Sequence, residues 1–147
     1  MGFFGSRSID DEDMIAEIGK TANSQNNLIN NSRVVILDAR PKINAYANKY
    51  VGGGGFENLK YYRNCELVFC DIENIHEVRK CFQKVREIGK KDKNFKNNSN
   101  YQLKIENSGY IILLSQIFKA VNKLLVSMLV NRINVLVHCS DGWDRTS

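Results

Sequence analysis

The sequence predicts an α/β protein with a mainly parallel central sheet flanked by helices. Short apolar, β-branched runs at Arg33–Asp38, Leu67–Asp71 and Asn134–Val137 alternate with longer stretches of helical period. Each run ends in polar or reactive residues: Asp38 and Arg40 after the first, Asp71 after the second, His138 and Cys139 after the third. Ligands of parallel α/β sheets bind where the carboxyl ends of the strands converge, so these three ends are expected to line one pocket.

The bulk composition supports a folded domain. With 147 residues, 43% hydrophobic and 25% charged, the chain can bury a core, which excludes disorder throughout. A net charge of +5 and a pI near 9.0 are compatible with an anionic partner without identifying one, since a solvated basic surface gives the same numbers. Cys65, Cys70, Cys81 and Cys139 show no Cys-x-x-Cys spacing and fit a reducing, cytosolic setting, the first three as ordinary buried or half-buried thiols. Met1 to Ser6 has the outline of a myristoylation signal, but Phe3 beside the acceptor Gly2 suits it poorly.

Taken in order, Ser8 caps a helix from about Ile9 to Lys20, with acidic residues in its first turn and Met14, Ile15 and Ile18 on one face. The Asn-rich stretch Thr21 to Ser32 reads as a surface loop. After the first strand, Pro41 opens a helix through Tyr50, and Gly52 to Gly55 form a turn without the strand, helix and Lys of a nucleotide P-loop. Asn74 caps the next helix, whose inward stripe is Ile75, Val78, Phe82 and Val85. His76 has no second ligand at helical spacing, so no metal is expected there. A basic, low-complexity loop follows Gly89 and runs to Asn100. Ile111, Leu114, Phe118, Val121, Leu125 and Met128 then repeat at three and four between Tyr110 and Val130; with Lys119 and Lys123 interrupting, this reads as a buried amphipathic helix and not a membrane span.

The chemistry sits in the last stretch. A strand running into Cys139, with Gly142 where a tight turn needs freedom and Arg145 six residues after the cysteine, suits a phosphate-binding loop. Inward-turned N–H groups of such a loop lower the thiol pKa and cradle phosphate oxygens, and the guanidinium closes from the rim with two parallel hydrogen bonds. Cys-x5-Arg alone is weak, with ~0.2 chance matches expected at this composition; the strand and the glycine give it weight. Two carboxylates, Asp141 and Asp144, lie in the same loop. Beside a phosphate dianion at least one of them is expected to be shifted upward, which makes it a general acid for the leaving oxygen.

His-Cys-Ser-Asp-Gly-Trp-Asp-Arg-Thr at 138–146 resembles the signature loop of the myotubularin-family phosphoinositide phosphatases. Gly5 to Met14, Asp38 to Asn48 and Asn64 to His76 resemble further segments of that family's catalytic domain. The resemblance implies a protein-tyrosine-phosphatase-like fold, with residues 1–147 a partial catalytic domain truncated after the catalytic loop, lacking both the lipid-binding domain that precedes catalysis and the helix that follows Arg145. It implies Cys139 as nucleophile, Arg145 as phosphate clamp and Asp144 as the acid. Ser140, Asp141, Gly142 and Trp143 are the expected substrate-binding loop, and Asp38 and Arg40 are expected to orient it or to touch substrate.

By the same resemblance the substrate is the 3-phosphate of phosphatidylinositol 3-phosphate or 3,5-bisphosphate. No cofactor or metal is implied. The expected partner is a phosphoinositide headgroup at a membrane surface, met from the cytoplasm at endosomal membranes. No nucleic acid and no transmembrane segment are expected, and an oligomer or a family-member partner is compatible with the pattern. Glu106-Asn-Ser-Gly-Tyr110 departs from the family, which has a His- and Trp-bearing turn there. Two other functions stay open: an inactive module for lipid binding or interaction, and a protein phosphatase using the same loop.

Overall fold

The computed structural model describes residues 6–26, 32–52, 55–91 and 100–147. Three strands, β1 (Val34–Asp38), β2 (Cys65–Phe69) and β3 (Asn134–His138), form one parallel sheet in the order β2-β1-β3. Register is set residue for residue: Ile36 lies between Leu67 and Leu136, and Asp38 between Phe69 and His138. All five residues of β1 are buried, as a near-continuous apolar run predicts for the middle strand of a parallel sheet.

Alternation along β1 divides the core in two. Val34 and Ile36 face α1 (Ile9–Asn26), where they meet Ile15, Ile18, Tyr62 and Leu67. Val35 and Leu37 face the other side and meet Ile133, Val68, Val137 and Leu124 of α5 (Tyr110–Leu125). Between β1 and β2 runs α2 (Lys42–Tyr50), with Pro41 at its N-cap. After β2 come α3 (Ile75–Lys91) and α4 (Asn100–Asn107). A π-helical turn, Val126–Val130, ends the long helix before β3.

The sheet and most helices stand where the sequence puts them, and the departures have physical reasons. The expected loop at Thr21 is helical as far as Asn26, because β3 holds that turn: Asn134 Nδ2 donates to the Ile18 carbonyl and to Thr21 Oγ1, at 2.5 and 2.9 Å. The rest of that loop, 27–31, lies outside the described residues, as do residues 1–5, Gly53 and Gly54, and 92–99 of the basic loop. β2 begins and ends two residues earlier than expected, and α4 is a helix where only loop and turn were expected.

The expected inward stripe of α3 is only partly covered, with Phe82 52% exposed beside the Tyr110 ring. α5 departs further. It docks on the sheet through Leu124, and Lys123 pairs with Glu66 of β2 at 2.8 Å. Yet Phe118 and Leu129 are 70% and 71% exposed, so the helix is not the buried one expected. Three strands offer a helix only one face, and the opposite apolar face of α5 stays open. Tyr110–Val130 is long and apolar enough to cross a membrane, but the sheet contacts of Leu124 and Lys123 account for it as a docked helix.

Gly19 in α1 tests how tightly the helix sits. Replacing a helical glycine by alanine ordinarily gains up to about 1 kcal/mol. Here a Cβ would lie 2.5 Å from the Ser32 carbonyl oxygen, with the β1 side chain of Val34 beyond it. Gly19→Ala is therefore expected to cost about 1–3 kcal/mol in urea unfolding, the sign set by overpacking.

Candidate active site

The site is assembled at the carboxyl edge of the sheet. Because β1 lies between its partners, the segment after Asp38 is gripped from both sides. Ala39 N–H donates to the His138 carbonyl (2.8 Å), Cys70 N–H to the Asp38 carbonyl (2.8 Å) and Ile72 N–H to the Ala39 carbonyl (2.9 Å). Ala39, Cys70 and Val137, one from each strand end, line a largely apolar groove of about 630 Å³ that Asp144 and Arg145 also border. The expected convergence is thus present for the strands, while Asp71 turns away, exposed and with φ 55°.

Asp38 and Arg40 form a buried ion pair, 0% and 3% exposed. Arg40 donates through Nε and Nη2 to the carboxylate, the shorter contact being 2.6 Å, and Nη2 also donates to the Gly55 carbonyl at 2.6 Å. Burial alone would disfavour the guanidinium charge, but its hydrogen bonds to the Asp38 carboxylate and the attraction of that charge outweigh it and hold Arg40 above its ordinary pKa. Of the two roles expected for this pair, its geometry fits orientation of the site, since both groups are spent on one another and on Gly55.

Cys139 is the first residue past β3 and is 6% exposed. Burial pushes its thiol up. Against that stand the Thr146 hydroxyl and the N–H groups of Gly142, Asp141 and Thr146, and their sum holds the thiol below its ordinary value. Gly142 N–H reaches the sulfur at 3.2 Å. A Cβ on Gly142 would meet nothing within 4 Å, so glycine is required there by its φ of 76° and not by crowding. That conformation turns the loop N–H groups inward. Ser140 Oγ accepts from Asn48 Nδ2 at 3.1 Å, tying the loop to α2.

Asp144 is held differently from the expectation that a loop carboxyl is shifted upward. Partial burial pushes it up, but the N–H groups of Arg145 and Ile75 pull harder, and it lies below the ordinary carboxylate value. Its Oδ1 accepts from Arg145 N–H at 2.8 Å and its Oδ2 from Ile75 N–H at 3.2 Å, the first helical N–H of α3. Asn74 Oδ1 accepts from His76 and Glu77 N–H, so two side chains share that helix end. The expected upward shift presupposed a bound dianion, and the loop alone gives Asp144 only donors.

Arg145 donates from Nε to the Ile72 carbonyl at 3.0 Å, which leaves its Nη groups as those able to turn to an anion. Asp141 is exposed, and Trp143, 87% exposed, stands at the rim.

Sequence reading missed two participants. Glu57, after the glycine turn, brings Oε2 within 3.2 Å of His138 Nε2, close enough for an ion pair though off the line of a well-directed hydrogen bond. Burial disfavours charge on both, yet each side chain favours the other's charged form: Glu57 lies below its ordinary value and His138 above. The pair's contribution to stability is therefore largest between the two folded pKa values. It fades as pH falls through that of Glu57 or rises through that of His138. The other missed participant is Thr146, whose hydroxyl favours the thiolate. No spacing rule points to Glu57, which lies 81 residues before His138. Among the described residues no group of three or more His, Cys, Asp or Glu side chains is placed to hold a metal ion.

A family model of the myotubularin-like phosphatase domain matches residues 1–147. The chain belongs to the myotubularin family. It is 38% identical over 144 residues to the mouse protein named phosphatidylinositol-3,5-bisphosphate 3-phosphatase MTMR6, covering 98% of this chain and 22% of that protein. It is 36% identical to Xenopus laevis myotubularin over 147 residues, 100% of this chain and 23% of that one. Human phosphatidylinositol-3-phosphate phosphatase MTMR7 is 37% identical over 144 residues, 98% of this chain and 20% of the relative. The chain thus spans about a fifth of the length of these curated relatives. Within that myotubularin segment lie the parallel sheet, the cysteine loop and the Asp38–Arg40 pair beneath it.

Thr146→Val deletes a hydroxyl that favours the thiolate while keeping the side chain's shape. The midpoint of Cys139 alkylation against pH is expected to rise by about one unit, as the loss of one hydrogen bond to a charged group implies. Mass spectrometry of the Cys139 peptide after timed iodoacetamide treatment measures it.

Proposed function

We propose that this chain carries the reactive loop of a phosphoinositide 3-phosphatase, acting on phosphatidylinositol 3-phosphate and its 3,5-bisphosphate through a cysteinyl-phosphate intermediate. The observation that carries the reading is Cys139: buried at the carboxyl edge of a parallel sheet, faced by loop N–H groups, and more acidic than an ordinary thiol. The names of the relatives supply the substrate class. The reading includes a protein-tyrosine-phosphatase-like fold, with residues 1–147 part of a catalytic domain, and action from the cytoplasm at phosphoinositide-bearing endosomal membranes.

In this mechanism the Cys139 thiolate attacks phosphorus in line with the bond to the inositol 3-oxygen. The N–H groups of Ser140 to Trp143 and the Nη groups of Arg145 take up the charge on the equatorial oxygens, and Asp141 contacts the substrate headgroup. As the phosphorus–oxygen bond breaks, the leaving oxygen takes its proton from Asp144. Asp144 must therefore be protonated when substrate is bound, and an arriving dianion supplies the upward push that the loop's own groups do not. Water then attacks the phosphocysteine, giving a proton to Asp144 and releasing phosphate and the thiolate. Asp38 and Arg40 support the loop from beneath.

Cys139→Ser is expected to reduce phosphate release from dioctanoyl phosphatidylinositol 3-phosphate by at least ~10³-fold while headgroup binding persists. Undiminished release would remove the phosphoenzyme from the mechanism. Asp144→Asn is expected to lower turnover of the lipid by ~10²–10⁴-fold. The loss should be far smaller for an aryl phosphate whose leaving group needs no proton, and equal losses on both substrates would deny Asp144 the role of acid. Lipid binding by the unmodified full-length protein without any turnover would favour the competing reading, a binding module with an intact loop.

A further inference from the structure

The excursion that carries α2 begins and ends at the carboxyl edge of the sheet. It leaves through Arg40 and returns at Gly55, whose carbonyl accepts from Arg40 at 2.6 Å. The next ring, Phe56, packs on Phe69, the last residue of β2, at a centroid distance of 5.6 Å. Between these points Asn48 donates to Ser140 of the reactive loop at 3.1 Å. α2 is thus tied at three places to the edge where the loop lies. Phe56 also braces it from within the excursion, with Tyr46 stacked at 4.8 Å and Lys49 Nζ 5.6 Å from the ring centroid.

This helix is built inside out. Its buried residue is the small Ala45. At about 3.6 residues per turn, Ile43, Ala47 and Tyr50 fall on the side opposite Ala45. Ile43 is 76% exposed there, and Tyr50 and the adjoining Val51 are each 86% exposed. Single exposed apolar side chains are ordinary, but three large ones on the outer side of one short helix call for a partner.

Charge and composition say which partner. Lys42 and Lys49 are both exposed on one flank of the apolar side, and the nine residues of α2 include no Asp or Glu. An aliphatic side chain and a tyrosine beside lysines suit the boundary of an anionic bilayer: the apolar bodies enter among the headgroups, while the phenol hydroxyl and the ammonium groups stay with water and phosphate. Nine residues make a helix of about 13 Å, far short of a hydrocarbon core of about 30 Å, so α2 can lie on a bilayer but not cross it. Trp143, exposed three residues beyond Ser140, adds an interfacial aromatic on the loop itself.

We propose that the outer face of α2, with Ile43, Tyr50 and Val51 flanked by Lys42 and Lys49, is an interfacial anchor that seats the reactive loop on an anionic membrane surface. Because α2 holds Ser140 through Asn48, docking this face brings the loop to the headgroups without moving it relative to the sheet. The proposal rests on the phosphoinositide reading for the orientation of the loop, and its test separates the two.

Full-length protein is assayed on two forms of one lipid: phosphatidylinositol 3-phosphate in phosphatidylcholine–phosphatidylserine vesicles, and dioctanoyl phosphatidylinositol 3-phosphate as a monomer in solution. The triple variant Ile43→Ser, Tyr50→Ser, Val51→Ser is expected to lose about tenfold on vesicles, through a raised apparent KM, and to turn over the monomeric lipid at the unmodified rate. Replacing Lys42 and Lys49 by Gln should weaken vesicle turnover only when phosphatidylserine is present. Undiminished vesicle turnover by the triple variant overturns the proposal. So do equal losses on both lipid forms together with a lowered melting temperature, which would mean that another part of the protein covers this face. Should the triple variant not fold, Tyr50→Glu alone is read in the same way, since a carboxylate among anionic headgroups opposes docking and touches nothing buried. If the unmodified protein hydrolyses neither form, the phosphatase reading fails, and sedimentation with phosphatidylcholine–phosphatidylserine vesicles decides the anchor by itself. Capture that falls about tenfold in the variant supports it, and equal capture sinks it.

Discussion

The buried pair of Asp38 and Arg40 is the constraint on which the site depends. Asp38 is the last residue of the only strand in the described sheet with a neighbour on both sides, and it is inaccessible to solvent. A carboxylate there is tolerable only because Arg40, two residues on, curls back to meet it with its N–H, Nε and Nη2. That curl directs the chain into α2 and delivers a donor to the Gly55 carbonyl, fixing the turn that carries Phe56 and Glu57. The backbone around it bonds to Cys70 and His138. The ion pair and these backbone bonds together fix the exits of all three strands. Burying two charges adds little net stability compared with apolar side chains, whereas losing either partner strands the other charge in the core. Its contribution is geometric.

The loop above that platform works by opposed electrostatic terms. Desolvation disfavours a charged sulfur, and only the convergence of short-range donors reverses it. Asp144 shows the same balance, since donors from Arg145 and the start of α3 outweigh its burial and hold it below the ordinary carboxylate value. The loop therefore favours negative charge at two places, sulfur and carboxylate. In the proposed mechanism a phosphate dianion raises one of them, and the carboxylate is the group for which protonation is useful.

Much of this was legible. Apolar, β-branched runs marked all three strands, β1 most clearly because the middle strand of a parallel sheet is covered on both faces, while β2 lies two residues earlier than its run suggested. Asn74 was readable as a cap because capping is a contact among near neighbours. The helical turn past Thr21 was not readable, for it is held by Asn134, more than a hundred residues away. Nor was the exposure of α5, whose period reports an apolar face but not how much sheet there is to cover it. Glu57 escaped for the same reason as the turn at Thr21: its partner is remote in sequence and its own neighbourhood looks like an ordinary loop.

The sequence by itself determined the strands, the order of strand, cysteine, glycine and arginine, and through its signature loop the family, because each of these depends on residues within a few positions of one another. Only the tertiary structure decided which side chains surround the sulfur. Parallel pairing brings three distant strand ends to one edge, and although Cys139 is governed by N–H and hydroxyl groups of its own loop, Asp144 takes its second donor from Ile75 and His138 its partner from Glu57, both remote in sequence. The loop chemistry was written locally in this chain, and the remote contacts to Asp144 and His138 were supplied by folding alone.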